Sequence, residues 1–137
     1  MERIIVILIL FLFGFSTVGA CAQDLGINKL IFAQNIKYQD CTRVFNTDNV
    51  TLLHLTIASI NANHFKVDEI QSKSGYILFT AAGKQFLAAV LNVNTNQGML
   101  RITPVDGNYY FQLGILTNIF KYIELNLNKK LELINLK

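Results

Sequence analysis

The chain has no tryptophan, one proline, two cysteines and two histidines in 137 residues, and only 15% of it is charged. Each shortage excludes something. Two cysteines cannot build a disulfide framework, and if Cys21 is modified or removed, Cys41 has no intramolecular partner and reads as a small buried apolar residue. His54 and His64 are not four residues apart and no cysteine pair stands near them, so no metal site and no cofactor is expected. Scarce charge with 52% hydrophobic residues excludes disorder. The net charge of +3 is small and the lysines are scattered, which argues against nucleic acid as a partner. Lys121, Lys129, Lys130 and Lys137 do enrich the C-terminal end; this is compatible with an anionic lipid surface but reads first as a solvated helix end.

Catalytic patterns are equally scarce. Ser59, Ser72 and Ser74 lack a nucleophile elbow, and Gly83-Lys84 lacks the spaced glycines and the following Ser or Thr of a phosphate loop. Asp68 and Glu69 are neighbours in a strand-like run, so they should point to opposite faces and not act together. Asn49-Val50-Thr51 matches a glycosylation sequon but overlaps a helix start. The chain is therefore not read as an enzyme, and no catalytic residue is assigned.

What is present begins with a leader. Ile4 to Phe13 is an unbroken apolar run behind Met1-Glu2-Arg3, too short to span roughly 30 Å of hydrocarbon comfortably as a helix. It fits the apolar core of a secretory signal peptide over residues 1–20 better than an uncleaved hydrophobic anchor. Two cleavage readings share Val18-Gly19-Ala20-Cys21-Ala22-Gln23. Val18-Gly19-Ala20-Cys21 resembles the bacterial lipobox, whose cysteine is acylated and becomes the first mature residue. Ala20-Cys21-Ala22 is an ordinary signal-peptidase site, which would remove Cys21 and release a soluble secreted protein cut after Ala22. The lipobox is preferred, because cysteine is scarce and one falls where a lipobox needs it. Residues 21–35 then read as a lipid-anchored tether and 36–137 as a single domain, within a mature chain of roughly 115 residues. Ala22 after the cysteine, rather than Asp, favours the outer membrane under the sorting rule some bacteria use.

The domain is organised around Asn49 to Phe79. Asp48 or Thr47 can cap a helix in which Val50, Leu53, Ile57 and Ile60 form the stripe, Leu52 and Leu55 widen it, and Asn63 is the left-handed terminator. Phe65 to Asp68 alternates as a half-buried strand, Gln71 to Gly75 is a turn, and Tyr76 to Phe79 is a strand again. A first strand is expected over Ile36–Phe45, and further strands over Gln85–Asn94 and Met99–Pro104. Gln85–Asn94 is apolar on both sides, which predicts a central strand covered on both faces. Leu113, Leu116, Phe120, Ile123 and Leu127, flanked by Ile119, stripe a closing helix expected from Tyr109 to Leu127, and the tail from Asn128 either extends it or docks as a loose segment. The fold class is α+β: an antiparallel sheet of about five strands in the order strand, helix, meander, helix, with the long C-terminal helix packed on the sheet.

That order, behind a lipobox, resembles the repeat domain of the outer-membrane assembly lipoprotein BamC and its relatives. The resemblance covers Val44 to about Leu127 and rests on Val44-Phe45, Asn49, the amphipathic helix, Phe65-Lys66-Val67 and Ser72-Lys73-Ser74-Gly75-Tyr76-Ile77. Where that family usually places a glycine at the helix stop, Asn63 stands here. The resemblance implies a helix-grip-like fold with no enzymatic site, and it carries over no residue except Cys21 as the anchor.

The function expected is that of a non-enzymatic cell-envelope lipoprotein, a binding or scaffold module in envelope assembly or maintenance. Its expected partners are the membrane, through the anchor, and an envelope protein or a second copy. The alternative is a periplasmic carrier of a small ligand or lipid, held between helix and sheet by Phe79, Phe86, Tyr109, Tyr110 and Phe111. If both helices lie on one side of the sheet, the opposite face around Leu87, Ala89 and Leu91 is where a partner, a second copy or the amino-terminal segment is expected to dock.

Overall fold

A computed structural model describes residues 32–135, and side chains up to residue 129. The leader and Cys21 lie outside the described residues. The elements run β1 (Ala33–Asn35), a 3-10 turn (Tyr38–Cys41), β2 (Thr42–Phe45), α1 (Asn49–Ala62), β3 (Lys66–Gln71), β4 (Tyr76–Ala81), β5 (Lys84–Asn94), β6 (Gln97–Pro104), β7 (Tyr110–Gln112) and α2 (Leu113–Asn135). The main sheet is antiparallel with strand order β2-β6-β5-β4-β3. β3 to β6 form a meander and β2 pairs with the far side of β6. A separate two-stranded ribbon joins β1 to β7. The α+β class, the five-stranded sheet and the C-terminal helix packed on it are as the sequence predicts.

Alternation along the strands sorts side chains to two faces. The inner face carries Phe45 of β2, Ile77, Phe79 and Ala81 of β4, Phe86, Ala88 and Val90 of β5, and Leu100 and Ile102 of β6, all buried. Both helices cover this one face. Leu52 of α1 sits over Gly98, where an added Cβ would come within 2.8 Å of its Cδ2. Phe120 of α2 packs against Phe45, and Ile115, Leu116, Ile119 and Ile123 close the core beneath it. Burying each large apolar side chain stabilises the fold by roughly 1.5–3 kcal/mol, so this single core carries most of the stability. A run of rings crosses it: Phe65 on Phe79, Phe79 on Phe86 and Phe86 on Phe111, with centroids 6.1, 5.5 and 5.0 Å apart. Phe111 belongs to β7, so the last contact fastens the ribbon to the sheet.

Several expectations are corrected. The stretch Ile36–Phe45 is not one strand: Tyr38–Cys41 turns, and only Thr42–Phe45 pairs with β6. Residues 33–35, read as the end of the tether, form β1. The closing helix starts at Leu113 rather than Tyr109, because Tyr110–Gln112 pairs with β1 first; it continues through Asn135. The buried face of α1 is Leu52, Leu53, Thr56, Ser59 and Ile60, while Val50 is 65% exposed. Asp48 is the N-cap, accepting from the Thr51 amide at 3.0 Å, but the left-handed residue at the far end is His64 (φ 60°), one beyond Asn63. Finally, β5 is central but covered on one side only: Leu87 and Ala89 are half-buried and Leu91 is exposed.

The change of face in α1 has a physical cause. Apolar residues lie nearly all round this helix, so periodicity alone does not select a side. Two small polar residues do. The Thr56 hydroxyl donates to the Leu52 carbonyl at 2.7 Å and the Ser59 hydroxyl to the Ile119 carbonyl at 3.3 Å. Both hydroxyls are thereby satisfied while buried, and Ser59 brings α1 against α2.

Candidate functional site

The uncovered face of the sheet is built by the other half of the strand alternation. Three directly paired residues form its first row: Val44 on β2, Met99 on β6 and Leu91 on β5. Val44 is 45% and Leu91 37% exposed; beyond Leu91 a bulge between Asn92 and Asn94 breaks the alternation of β5. The next row is Thr42, Arg101, Ala89, Tyr76 and Gln71; the third is Thr103, Leu87, Leu78 and Glu69. Both helices lie over the other face and border this one only at its margin, where Leu91 shares a concavity with residues of α1 and Val44 one with residues of α2. The face is therefore apolar through its middle and charged at its two flanks.

Arg101 supplies the charge on the β6 flank. Its guanidinium lies 5.7 Å from the centre of the Tyr38 ring, and its Nε is buried without a hydrogen-bond partner. Among the described residues no carboxylate pairs with it; the ion pairs formed are Arg43–Glu124, Lys66–Asp68 and Lys84–Asp106. Tyr38 also meets Tyr109 edge to face at 6.2 Å, and burial pushes the Tyr109 hydroxyl above its usual range, with Cys41 and Tyr38 adding to the shift.

The opposite flank is acidic for a reason the alternation rule misses. A bulge between Val67 and Glu69 interrupts the β3–β4 register. Glu69 pairs with Leu78 and accepts from the Tyr76 hydroxyl at 3.3 Å. Asp68 accepts from Thr80 at 2.6 Å and Gln85 at 3.2 Å. Tyr76, Leu78, Thr80 and Gln85 all belong to the uncovered face, so both acids stand there. The expectation that Asp68 and Glu69 point to opposite faces is corrected. The bonds from Thr80 and Gln85 hold the Asp68 carboxyl below the usual carboxylate range, while burial and then Glu69 raise the Tyr76 hydroxyl.

The residues singled out from sequence are thus divided. Leu87 and Leu91 lie together on the uncovered face. Phe79, Phe86 and Phe111 are fully buried in the ring stack of the inner core. Tyr109 is half-buried and Tyr110 exposed, both at the ribbon end. The sequence assigns none of Val44, Met99 and Arg101 to a site, although alternation from Leu100 and Ile102 puts Met99 and Arg101 on the face of Leu91.

A second concavity, of about 380 Å³, opens between the start of α1, the β3–β4 turn and the end of β5. Leu53, Ile57 and Val90 give it an apolar floor, and His54 and Lys73 stand at its rim. Gly75 shapes the wall: it takes φ +74°, and its carbonyl accepts from the Val90 amide at 2.7 Å. Any Cβ there would stand 3.1 Å from the Val90 oxygen. None of the five aromatics assigned to a ligand cavity borders it.

Cys41 is buried in the core, with its thiol 3.7 Å from the Lys37 carbonyl. Burial, and then the charge of Asp40, push that thiol up to about 11. This is the environment of a structural cysteine. Among the described residues, no three or more His, Cys, Asp or Glu gather to hold a metal ion, and no helix is long and apolar enough to cross a membrane.

No protein-family model matches the chain, and no curated protein is significantly similar to it.

Proposed function

We propose that the chain is a lipid-anchored envelope protein, acylated at Cys21, whose folded domain serves as a non-enzymatic binding or scaffold module. One observation carries the reading. Both helices cover the same face of the sheet, leaving the row Val44, Met99, Leu91 and the neighbouring Leu87 uncovered. Contiguous exposed apolar surface on a sheet is costly in water and marks an interaction surface. The acylated anchor and the envelope location rest on Val18-Gly19-Ala20-Cys21 alone.

Two measurements test this. Mass spectrometry of the mature protein should find an acylated amino terminus at Cys21; an unmodified terminus at Gln23 rejects the anchor. In native electrophoresis of mild detergent extracts, the wild-type chain should run in a complex and the Leu91→Lys variant as a folded monomer. A folded variant that stays in the same complex rejects the docking face. The carrier reading is retained on one observation, the apolar-floored concavity beside α1. There, native mass spectrometry should detect a co-purifying small molecule that an Ile57→Lys variant loses.

A further inference from the structure

The uncovered face carries opposite net charges on opposite flanks, Lys66 on the β3 side being matched by Asp68 and leaving Glu69, and this says what occupies it. Arg101 stands on β6 and Glu69 on β3, each on the same side of the sheet as Leu87. Three strand spacings separate β6 from β3, about 14 Å. Between them lie Tyr76, Leu78, Leu87 and Ala89, half-buried residues with largely apolar side chains facing out. Arg101 has no carboxylate partner among the described residues and a buried Nε without an acceptor. Among the same residues, Glu69 accepts only the long 3.3 Å bond from Tyr76, whereas Asp68 is already held by Thr80, Gln85 and Lys66.

We infer that the occupant of this face is a second copy of the same chain, stacked face to face about a two-fold axis through the Leu87 region. The inference rests on the proposed docking face and goes further by naming what docks. In a two-fold interface, if residue i meets residue j, then j meets i. Sheets stack about 10 Å apart, a gap that the long side chains of Arg and Glu bridge together. Arg101 of each copy then meets Glu69 of the other, and the two contacts form at once. Leu87 packs near its own symmetry mate, and Ala89 against Tyr76 and Leu78. The contact gives Arg101 a carboxylate and covers the apolar middle of the face, and neither outcome requires any other molecule.

The test uses charge reversal on the full chain, followed by sedimentation velocity in detergent. The wild type should be dimeric. Arg101→Glu places like charges together at both contacts, and so does Glu69→Arg; each should weaken dimerisation by about a hundred-fold. Mixed one to one, the two monomeric variants should associate, since the two reversed side chains attract each other at one contact and the native pair forms at the other. Circular dichroism melts check folding. If Arg101→Glu unfolds, Arg101→Gln replaces it for the loss of dimer, and Glu69→Arg, on an exposed edge strand, still reads the other side. A monomeric wild type overturns the inference, as do charge variants that remain dimeric or a mixture that stays monomeric. A monomer that nevertheless loses a larger complex on Leu91→Lys substitution overturns the second copy but leaves the docking face standing. A chain indifferent to both substitutions overturns both.

Discussion

At the scale of single residues, backbone geometry and burial decide most outcomes. His64 holds φ 60° at the end of α1, a region that costs side-chain-bearing residues roughly 1–2 kcal/mol. His64→Gly should therefore raise stability by up to about 1 kcal/mol in chemical denaturation. Gly98 is the opposite case. Its backbone is ordinary, but a methyl group would enter the space of Leu52 Cδ2 at 2.8 Å and Asn49 Oδ1 at 2.9 Å. Gly98→Ala should cost about 1–3 kcal/mol in the same measurement, because the fully buried Leu52 side chain and the Asn49 side chain must both give way. The Cys41 thiol, raised to about 11, stays protonated in the fold at pH values where an unfolded thiol has ionised. The unfolded chain then binds fewer protons, so stability is complete below the ordinary thiol range and is lost as pH climbs through about 11. Cys41 should also resist alkylation until the chain unfolds, and a serine variant should remove the alkaline loss while weakening the core.

At the scale of elements, the hairpins and helix caps show where local chemistry and fold agree. The β4–β5 turn is a two-residue connection, Ala82-Gly83, with φ 51° and 75°. Positive φ at both places matches the twist of the flanking strands, but alanine is a poor occupant of the first. Ala82→Asn should stabilise the hairpin by roughly 0.5–1 kcal/mol, read as a higher melting temperature with no change in spectrum. The start of α1 is better matched to its residue. Asp48 both accepts from the Thr51 amide and takes the Thr51 hydroxyl at 2.6 Å, a cap that contributes about 1 kcal/mol over alanine. The bulge in β3 is an element-scale device of a different kind, because it turns an edge strand's two adjacent acids to one side.

At the scale of the whole molecule, the two faces of the sheet should respond differently to the same kind of damage. Ile102 is fully buried beneath the helices, so Ile102→Ala should cost about 2–5 kcal/mol through the cavity it leaves. Leu91 is paired one strand over but faces away from the helices, so Leu91→Lys should change monomer stability by less than about 0.5 kcal/mol. Paired denaturation curves of the two variants check the one-sided packing directly. Equal losses would mean that both faces are covered.

What the sequence determined by itself is whatever depends on near neighbours. The alternation of β4 to β6, the Asp48 cap, the stripe of α2 from Leu116 to Ile123 and the α+β order were all legible, since strand and helix periods are written in consecutive residues. Tertiary structure decided the rest. Leu52 rather than Val50 faces the sheet because Gly98, far along the chain, opens a space for it and Ser59 finds the Ile119 carbonyl. Tyr110–Gln112 is a strand because β1 lies beside it, and a partner nearly eighty residues away leaves no local periodicity to read. Phe86 and Leu87 look alike in sequence, yet one is core and the other surface. Only the placement of both helices on one side separates them, because burial is a property of what arrives from elsewhere.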